Sequence, residues 1–174
     1  MDVGVIGVGV VGGACKVGFE LAGHNVLVHD IALETTIDDV LPSEVVYICV
    51  PTPRDDDGSC DISIVRQVIS ELKNKGYEGV IAIKSTVVPG TTEILRMQTG
   101  MNIIFVPEFL RERCAITDFT ENHDVCIIGC SDDKTYELIK DCHGPFPEKF
   151  VRLTHDEAEF CKYFNNVYNA MLII

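Results

Sequence analysis

The sequence has little positive charge. Lys and Arg number 14 against 27 Asp and Glu in 174 residues, which gives a formal net charge of −13 at pH 7. A nucleic-acid binder needs a basic face that displaces counterions from phosphates, and docking on an anionic membrane needs basic residues too. The composition therefore argues against both kinds of partner. It still allows a small anionic ligand, because backbone N–H groups at the start of a helix bind phosphate without any charged side chain.

Regular cysteine spacing is also missing. The eight cysteines form no CxxC motif, and two of them, Cys49 and Cys126, lie inside apolar runs, where a thiol packs as a small hydrophobic group. We therefore expect reduced cysteines and a cytoplasmic protein rather than a disulfide framework. The acidic run Asp55 to Asp57 is expected to be a solvated loop, since adjacent carboxylates repel one another without a cation. No metal site is predicted.

Long apolar segments are absent as well. No stretch is long enough to cross a bilayer. A secretion signal requires a Lys or Arg before its apolar region, and none precedes the apolar residues 3–14. With 47% apolar and 24% charged residues, the composition is that of a folded globular chain. The length predicts one domain, with enough chain for a fragment of a second.

Apolar runs and helical patterns alternate along the chain. Strands are predicted at residues 3–6, 26–28, 45–50, 80–83, 103–106 and 125–129. Helices are predicted at residues 10–21, 36–41, 61–74, 91–97, 132–141 and from 156 to the last residue. Several strands are continuous apolar runs, which is typical of parallel strands buried on both faces. The pattern predicts an α/β fold with a doubly wound, mostly parallel, Rossmann-like sheet.

A GxGxxG motif follows the first predicted strand and opens the first helix. Gly7 permits a tight turn, Gly9 lets the backbone approach a pyrophosphate, and Gly12 lets the helix pack closely on the strand. Asp30, at the end of the second strand, is placed to accept hydrogen bonds from an adenosine ribose, and it would repel a 2′-phosphate. The pattern favours NAD over NADP, and the alternative is a strand–helix turn that binds nothing. The predicted contacts of the cofactor are Gly7, Gly9, Val10, Val11, Gly12 and Asp30.

Four later segments have no explanation in composition. They are VPTP at residues 50–53, KSTVVPGTT at 84–92, VPEFLRE at 106–112 and EAEFCKYFNN at 157–166. In this order, behind an N-terminal GxGxxG, they resemble the UDP-glucose/GDP-mannose dehydrogenase family at its N-terminal, NAD-binding domain. The resemblance implies a Rossmann domain at residues 1–154 and the start of a long central linking and dimerisation helix at residues 155–174.

The resemblance also implies a reaction. Family members oxidise the C6 alcohol of a UDP- or GDP-linked sugar to a carboxylate with two NAD⁺, through a cysteine thiohemiacetal and thioester. By position, Thr52 would lie beside the nicotinamide or a catalytic water, and Glu108 would act as the acid or base in thioester hydrolysis. Lys162 and Asn166 would stabilise the oxyanion that forms at C6. Burial is expected to raise the pKa of Glu108 into a useful range for proton transfer.

Further contacts follow from the same resemblance. The implied cofactor contacts beyond the glycine motif and Asp30 are Val50, Pro51, Thr52, Ser85, Thr86 and Glu112. The implied substrate contacts are Glu108, Phe109, Leu110, Arg111, Lys162 and Asn166. Each residue alone also has a plainer interpretation: Ser85 or Thr86 as a cap, Glu108 and Arg111 as a surface ion pair, or Lys162 as part of a solvated helix face.

The chain departs from the family pattern in three respects, one of which is that the stretch from Asp30 to Val45 is much shorter than in typical members. The Gly-rich cysteine segment followed by Phe-Pro-Lys-Asp does not occur in this sequence, so no cysteine is assigned as nucleophile. Arg113 stands where a Gly usually follows the PEFLRE segment, and Asp124 stands near a usual Arg. We therefore expect the chain to bind dinucleotide without completing the oxidation.

Two other functions are compatible with these departures. One is a degenerate, non-catalytic domain that binds a nucleotide or a partner protein. The other is a dehydrogenase of the related β-hydroxyacid or 6-phosphogluconate kind, which the VPTP and PEFLRE segments disfavour. The last helix carries the apolar residues Val167, Tyr168, Met171, Leu172, Ile173 and Ile174. Helices of this kind usually bury such residues against a partner, so a homodimer through the C-terminal helix is expected.

Overall fold

The computed structural model describes residues 1–172. Within them, seven strands form one sheet. Their bounds are β1 Asp2–Ile6, β2 Asn25–His29, β3 Val45–Ile48, β4 Val80–Ile83, β5 Ile103–Phe105, β6 Val125–Gly129 and β7 Lys149–Leu153. The order across the sheet is β2-β1-β3-β4-β5-β6-β7. Strands β1 to β5 pair in parallel, whereas β6 pairs antiparallel to β5 and parallel to β7. The predicted doubly wound, mostly parallel sheet is confirmed.

Helices cover both faces of the sheet. In the described residues their bounds are α1 Val10–Leu21, α2 Ser63–Asn74, α3 Thr91–Thr99, α4 Ala115–Thr120, α5 Asp133–His143 and α6 His155–Met171. Short 3₁₀ helices lie at Ile37–Val40 and Glu112–Cys114. The last helix begins with a capping box, in which the Glu157 carboxylate accepts from the Thr154 N–H at 2.9 Å and Thr154 Oγ1 accepts from the Glu157 N–H.

Each central strand contributes to two cores. Side chains alternate along a strand, so Val45 and Tyr47 of β3 pack on the face covered by α1, α4 and α5. Val46 and Ile48 of the same strand pack on the face covered by α2, α3 and α6. Burial on both faces explains why β3 reads as a continuous apolar run.

Two elements were not predicted from the sequence. The helix α4 has only six residues, too few to show a helical period. The strand β7 has the sequence KFVRL and lies at the edge of the sheet, where Lys149 is exposed. An edge strand with two basic residues lacks the continuous apolar run that marks the central strands.

The reversal at β6 determines where the last helix runs. Because β6 and β7 run antiparallel to β5, their carboxyl ends lie on the side of the sheet where β1 to β5 begin. Helix α6 therefore starts on the side where β1 to β5 begin and runs back toward their carboxyl ends. In the described part of the chain, no helix is long and apolar enough to span a membrane. Ile173 and Ile174, the end of the predicted helix, lie outside the described residues.

Candidate functional site

The carboxyl ends of β1 and β3 open a crevice. From β1 the chain continues to β2 on one side, whereas β3 lies on the other side of β1. A ligand in an open α/β sheet binds where neighbouring connections diverge in this way. The glycine motif Gly7–Gly12 follows β1, and the segment Val50 to Thr52 follows β3. The fold thus brings two of the predicted cofactor segments to one edge.

The glycine motif has the geometry that phosphate binding needs. Gly7 has a φ of +87°, a conformation that strains any residue with a side chain. A Cβ on Gly12 would lie 1.8 Å from the Gly7 carbonyl oxygen, so no other residue fits there. In the described residues, nothing lies within 4 Å of a Cβ built on Gly9. The first turn of α1 has no acidic residue, and no side-chain cap is found for it among residues 1–172. Its N–H groups are therefore available to an anion.

Asp30 lies against the glycine motif. Its Oδ2 accepts from the Val8 N–H at 2.6 Å, and its Oδ1 accepts from the Ala32 N–H at 2.8 Å. These two hydrogen bonds, the one from Ala32 above all, hold the pKa of the Asp30 carboxyl below its usual value. Asp30 is half-buried and ionised at neutral pH, as a carboxylate that binds ribose hydroxyls must be. The motif and Asp30 together fit a dinucleotide.

The ends of β3 and β4 are tied together by Ser85. Its buried hydroxyl donates to the Val50 carbonyl oxygen at 2.7 Å. Thr86 is half-buried, and its carbonyl oxygen accepts from the Cys60 thiol at 3.5 Å. Pro51 is exposed. Ser85 thus shapes the crevice through its neighbours, because its one hydroxyl proton is already engaged.

A lysine that sequence reasoning left without a role lies beside the predicted acid–base residue. Lys84 Nζ and Glu108 Oε2 are 2.8 Å apart, with side chains 1% and 5% exposed. The Phe109 N–H also donates to Glu108 Oε1. Burial alone would lower the pKa of Lys84, but the facing carboxylate raises it above its usual value. Lys84 directly follows the apolar strand Val80–Ile83, and a charged residue at that position indicates a buried partner, which could have identified this pair from the sequence.

The expected rise in the pKa of Glu108 was wrong, and the alternative interpretation of Glu108 as a surface partner of Arg111 does not apply. Burial favours the protonated form, but Lys84 outweighs it, so the pKa of Glu108 is lowered rather than raised. Glu108 also does not pair with Arg111. The Arg111 guanidinium binds both carboxylate oxygens of Asp118 instead, at 2.6 and 2.9 Å. The hydrogen bonds from Arg111 hold the pKa of Asp118 well below its usual range.

Helix α6 delivers Lys162 to the same loop. Lys162 Nζ donates to the backbone carbonyl oxygen of Glu108, 54 residues earlier, and lies 5.4 Å from the centre of the Phe109 ring. Burial lowers the pKa of Lys162 below its usual value. Asn166 is one helical turn further on and is exposed.

A cavity of about 780 Å³ opens beside this cluster. One wall is the loop from Glu108 to Arg111, and the other is the α6 face that carries Phe164 and Asn165. All four predicted loop residues, Glu108, Phe109, Leu110 and Arg111, therefore line one space. Asp124, at a position where the family usually has an Arg nearby, lines it as well.

Glu159 is a second residue that sequence reasoning missed. It is fully buried, and its carboxylate accepts from the Gly90 N–H at 2.6 Å and from the Thr92 N–H and hydroxyl at 2.8 and 2.5 Å. It therefore caps α3 from α6 and anchors the helix that carries Lys162. The signal was its spacing, since Glu159 falls on the inward stripe of α6 together with His155 and Ala158.

The remaining predicted cofactor residue, Glu112, lies across from the glycine motif. Glu112, Gly9 and Val10 line a separate cavity of about 640 Å³. All eight cysteines are free. In the part of the chain that the structure describes, no cluster of three or more His, Cys, Asp or Glu side chains is placed to hold a metal ion.

In all three comparisons with known proteins, the chain is similar to nucleotide-sugar dehydrogenases. The model of the UDP-glucose/GDP-mannose dehydrogenase family, NAD binding domain, matches residues 32–147. A UDP-glucose 6-dehydrogenase of Haloferax volcanii is 31% identical over 159 residues, 80% of this chain and 37% of that protein. A UDP-glucose 6-dehydrogenase of Bacillus subtilis is 31% identical over 166 residues, 88% of this chain and 35% of that protein. A crystal structure of GDP-mannose dehydrogenase from Pseudomonas aeruginosa superposes with a TM-score of 0.84 at 26% identity, covering 99% of this chain and 51% of that one. The chain thus spans about a third of the curated relatives and half of the solved structure.

Proposed function

The chain belongs to the UDP-glucose/GDP-mannose dehydrogenase family, as its NAD binding domain, and we propose that it supplies the cofactor-binding half of a nucleotide-sugar 6-dehydrogenase. Residues 1–154 would form the cofactor domain and residues 155–174 the start of a linking helix. The proposed reaction oxidises the C6 alcohol of a UDP- or GDP-linked sugar to a carboxylate with two NAD⁺. The names of the relatives, which are dehydrogenases, do not favour a non-catalytic binding module.

One observation carries this proposal. The chain's own fold brings Lys162 of α6 onto the loop that holds Glu108 and Phe109. These two loop residues line the cavity of about 780 Å³, whereas Lys162 and Asn166 are not among its lining residues in the described part of the chain. A domain that only binds a dinucleotide does not require a lysine at the carboxyl ends of its parallel strands, whereas the oxidation of an alcohol does use such a cation. The cavity is proposed to hold the sugar, with Glu108 to Arg111 as one wall.

Each residue then has a proposed role. When bound, NAD⁺ would accept hydride from the C6 carbon while the C6 hydroxyl releases its proton to water. Lys162 donates a hydrogen bond to the oxygen on C6, where its lowered pKa and low exposure strengthen the interaction. Thr52, from the loop after β3, and Asn166, from α6, are proposed to contact the reacting groups. Glu108, ionised beside Lys84, is proposed to take a proton from the water that hydrolyses the acyl intermediate.

The same proposal assigns the cofactor contacts. The glycine motif would hold the diphosphate, Asp30 the adenosine ribose, and the segments Val50 to Thr52 and Ser85 to Thr86 the nicotinamide side. No cysteine of this sequence is assigned to the covalent step, so the chain alone is proposed to bind NAD⁺ without turnover. The free state of all eight thiols supports a cytoplasmic location.

NAD⁺ at ten times its Kd should raise the melting temperature by about 3–6 °C, as expected when a ligand binds the folded state of a domain of this size. NADP⁺ should give a smaller shift, because the Asp30 carboxylate repels the 2′-phosphate. The variant Asp30→Asn keeps the shape and removes the charge, so it should narrow the difference between the two cofactors. Differential scanning fluorimetry with both nucleotides measures this. No shift with millimolar NAD⁺ would refute the cofactor function, and an unchanged preference in Asp30→Asn would remove Asp30 from the ribose site.

We also propose a homodimer through α6. Its outer face is apolar and exposed, with Phe164 at 61%, Tyr168 at 53% and Met171 at 68% exposure. The Phe164 and Tyr168 rings stack with their centres 6.2 Å apart, which makes a continuous apolar ridge. Burial of such a ridge against a second copy follows from the hydrophobic effect.

Met171→Glu should shift the mass measured by light scattering from dimer toward monomer, since each interface would bury two unpaired carboxylates. The matched control is Met97→Glu on α3, where the side chain is also exposed, at 79%, but lies away from α6. The control should remain dimeric. A monomeric wild type at micromolar concentration, or a dimer unaffected by Met171→Glu, would contradict this assignment of the interface.

A further inference from the structure

We propose that Arg113 pairs with the diphosphate of the bound cofactor, as a counter-charge that the family pattern does not supply at this position. This rests on NAD⁺ binding at the glycine motif. Arg113 is placed in the cavity of about 640 Å³ that Gly9 and Val10 also line. Arg113 thus lines the same space as the N-terminus of α1, whose N–H groups the glycine motif presents to phosphate.

The packing of α4 on α1 creates this arrangement. The chain leaves β5, passes the Glu108 loop and enters the 3₁₀ helix Glu112–Cys114 directly before α4. One wall of the cavity consists of Gly9, Val10, Gly13, Ala14, Lys16 and Val17, and the other of residues 112–117. Arg113 therefore lies across this cavity from the glycine motif, on a separate element.

Arg113 differs from the other cations nearby because it is free. Lys16, on the opposite wall, is 2.6 Å from the Glu20 carboxylate. Arg111, two residues earlier, is engaged by Asp118. Arg113 is exposed, and no ion pair is found for it anywhere in residues 1–172. Its charge is thus available to a ligand.

The charge balance gives this guanidinium a clear role. A chain with a net charge of −13 repels an anionic ligand at long range, and the N–H groups of α1 act only within the first turn. A guanidinium offers two parallel N–H donors that match the oxygens of a phosphate. Among the described residues of that wall, the neighbouring Glu112 is the one carboxylate, and a carboxylate accepts from hydroxyl groups but does not bind phosphate.

Isothermal titration of the purified chain with NAD⁺ and with ADP tests this. Arg113→Gln should lower the affinity for both ligands about 5–10-fold at low salt, as expected for the loss of one partly solvated charge-assisted hydrogen bond. The loss should shrink at about 0.3 M salt, where the Debye length is short. Adenosine, which lacks the diphosphate, should bind both proteins equally, and Arg113→Lys should retain part of the affinity.

The matched control is Lys16→Gln, which removes a cation from the opposite wall of the same cavity. Because Lys16 is paired with Glu20, its loss should change the affinity for NAD⁺ less than about 2-fold. Equal affinities of the wild type and Arg113→Gln for NAD⁺ and ADP would overturn the proposal. An equal loss in Lys16→Gln would also overturn it, since the effect would then be a general one of net charge. A wild type that binds neither ligand would instead refute the cofactor function itself.

Discussion

Lys84→Met should lower the free energy of unfolding at pH 7 by about 3–5 kcal/mol, the usual cost of leaving one partner of a buried ion pair without its counter-charge. Met matches the length of the lysine stem, so the core loses little packing. The Glu108 carboxylate, 5% exposed, then keeps only the Phe109 N–H as a hydrogen-bond partner among residues 1–172. Urea unfolding followed by circular dichroism measures the change.

The contribution of Glu108 to the pH dependence of stability should change sign with this substitution. In the wild type the pKa of Glu108 lies below its usual value of 4.5. Its contribution to stability is therefore present above pH 4.5 and is lost as the pH falls through the lowered pKa. In Lys84→Met, burial without a counter-charge should raise that pKa above 4.5. The variant should then lose stability as the pH rises from 4.5 toward the raised value.

Two controls separate this explanation from a general disturbance of the core. Lys84→Met combined with Glu108→Gln removes both charges and should recover most of the loss, because no ion is left buried. Lys75→Met breaks the Lys75–Asp38 pair, which has the same 2.8 Å separation but side chains 47% and 55% exposed. It should cost less than about 1 kcal/mol. A double variant as unstable as Lys84→Met, with an unchanged pH profile, would contradict the assigned role of the pair.

Gly12→Ala should destabilise the protein by about 3 kcal/mol or more, at the upper end of the range for overpacking, and abolish NAD⁺ binding. The added Cβ would lie 1.8 Å from the Gly7 carbonyl oxygen and 3.3 Å from the Cys49 side chain. Since the first obstacle is backbone, α1 must move away from β1. That movement takes the N–H groups of α1 away from the crevice.

Gly9→Ala is the contrasting variant in the same motif. Nothing in the described residues lies within 4 Å of its added Cβ, so the melting temperature without ligand should change little. The affinity for NAD⁺ should fall at least about 10-fold, because the methyl group takes the place where a diphosphate approaches the backbone. Thermal melts with and without NAD⁺ read out both effects. A large stability loss in Gly9→Ala, or normal NAD⁺ binding by Gly12→Ala, would contradict this division of roles.

The fold was predictable because its signals are local. Continuous apolar runs mark β1, β3 and β4, since strands buried on both faces need apolar residues at every position. The glycine motif was recognisable because Gly7 has a positive φ and a Cβ on Gly12 would lie 1.8 Å from the Gly7 carbonyl oxygen, so other residues do not fit there. The elements that escaped prediction, α4 and β7, are short or at an edge, where a periodic pattern cannot develop.

For the candidate site, the sequence and the tertiary structure each supplied a separate part. The sequence by itself determined the order of the central strands and helices, and it predicted that the glycine motif and the PEFLRE loop would carry the chemistry. Only the tertiary structure decided the ionisation of Glu108, because its partner Lys84 lies 24 residues away and reaches it from a neighbouring strand. Likewise, only the packing of α4 on α1 places Arg113 opposite Gly9, and only the return of α6 across the sheet brings Lys162 to the Glu108 loop. Charge pairing depends on distance through space and on burial, and neither is written in the spacing of residues along the chain.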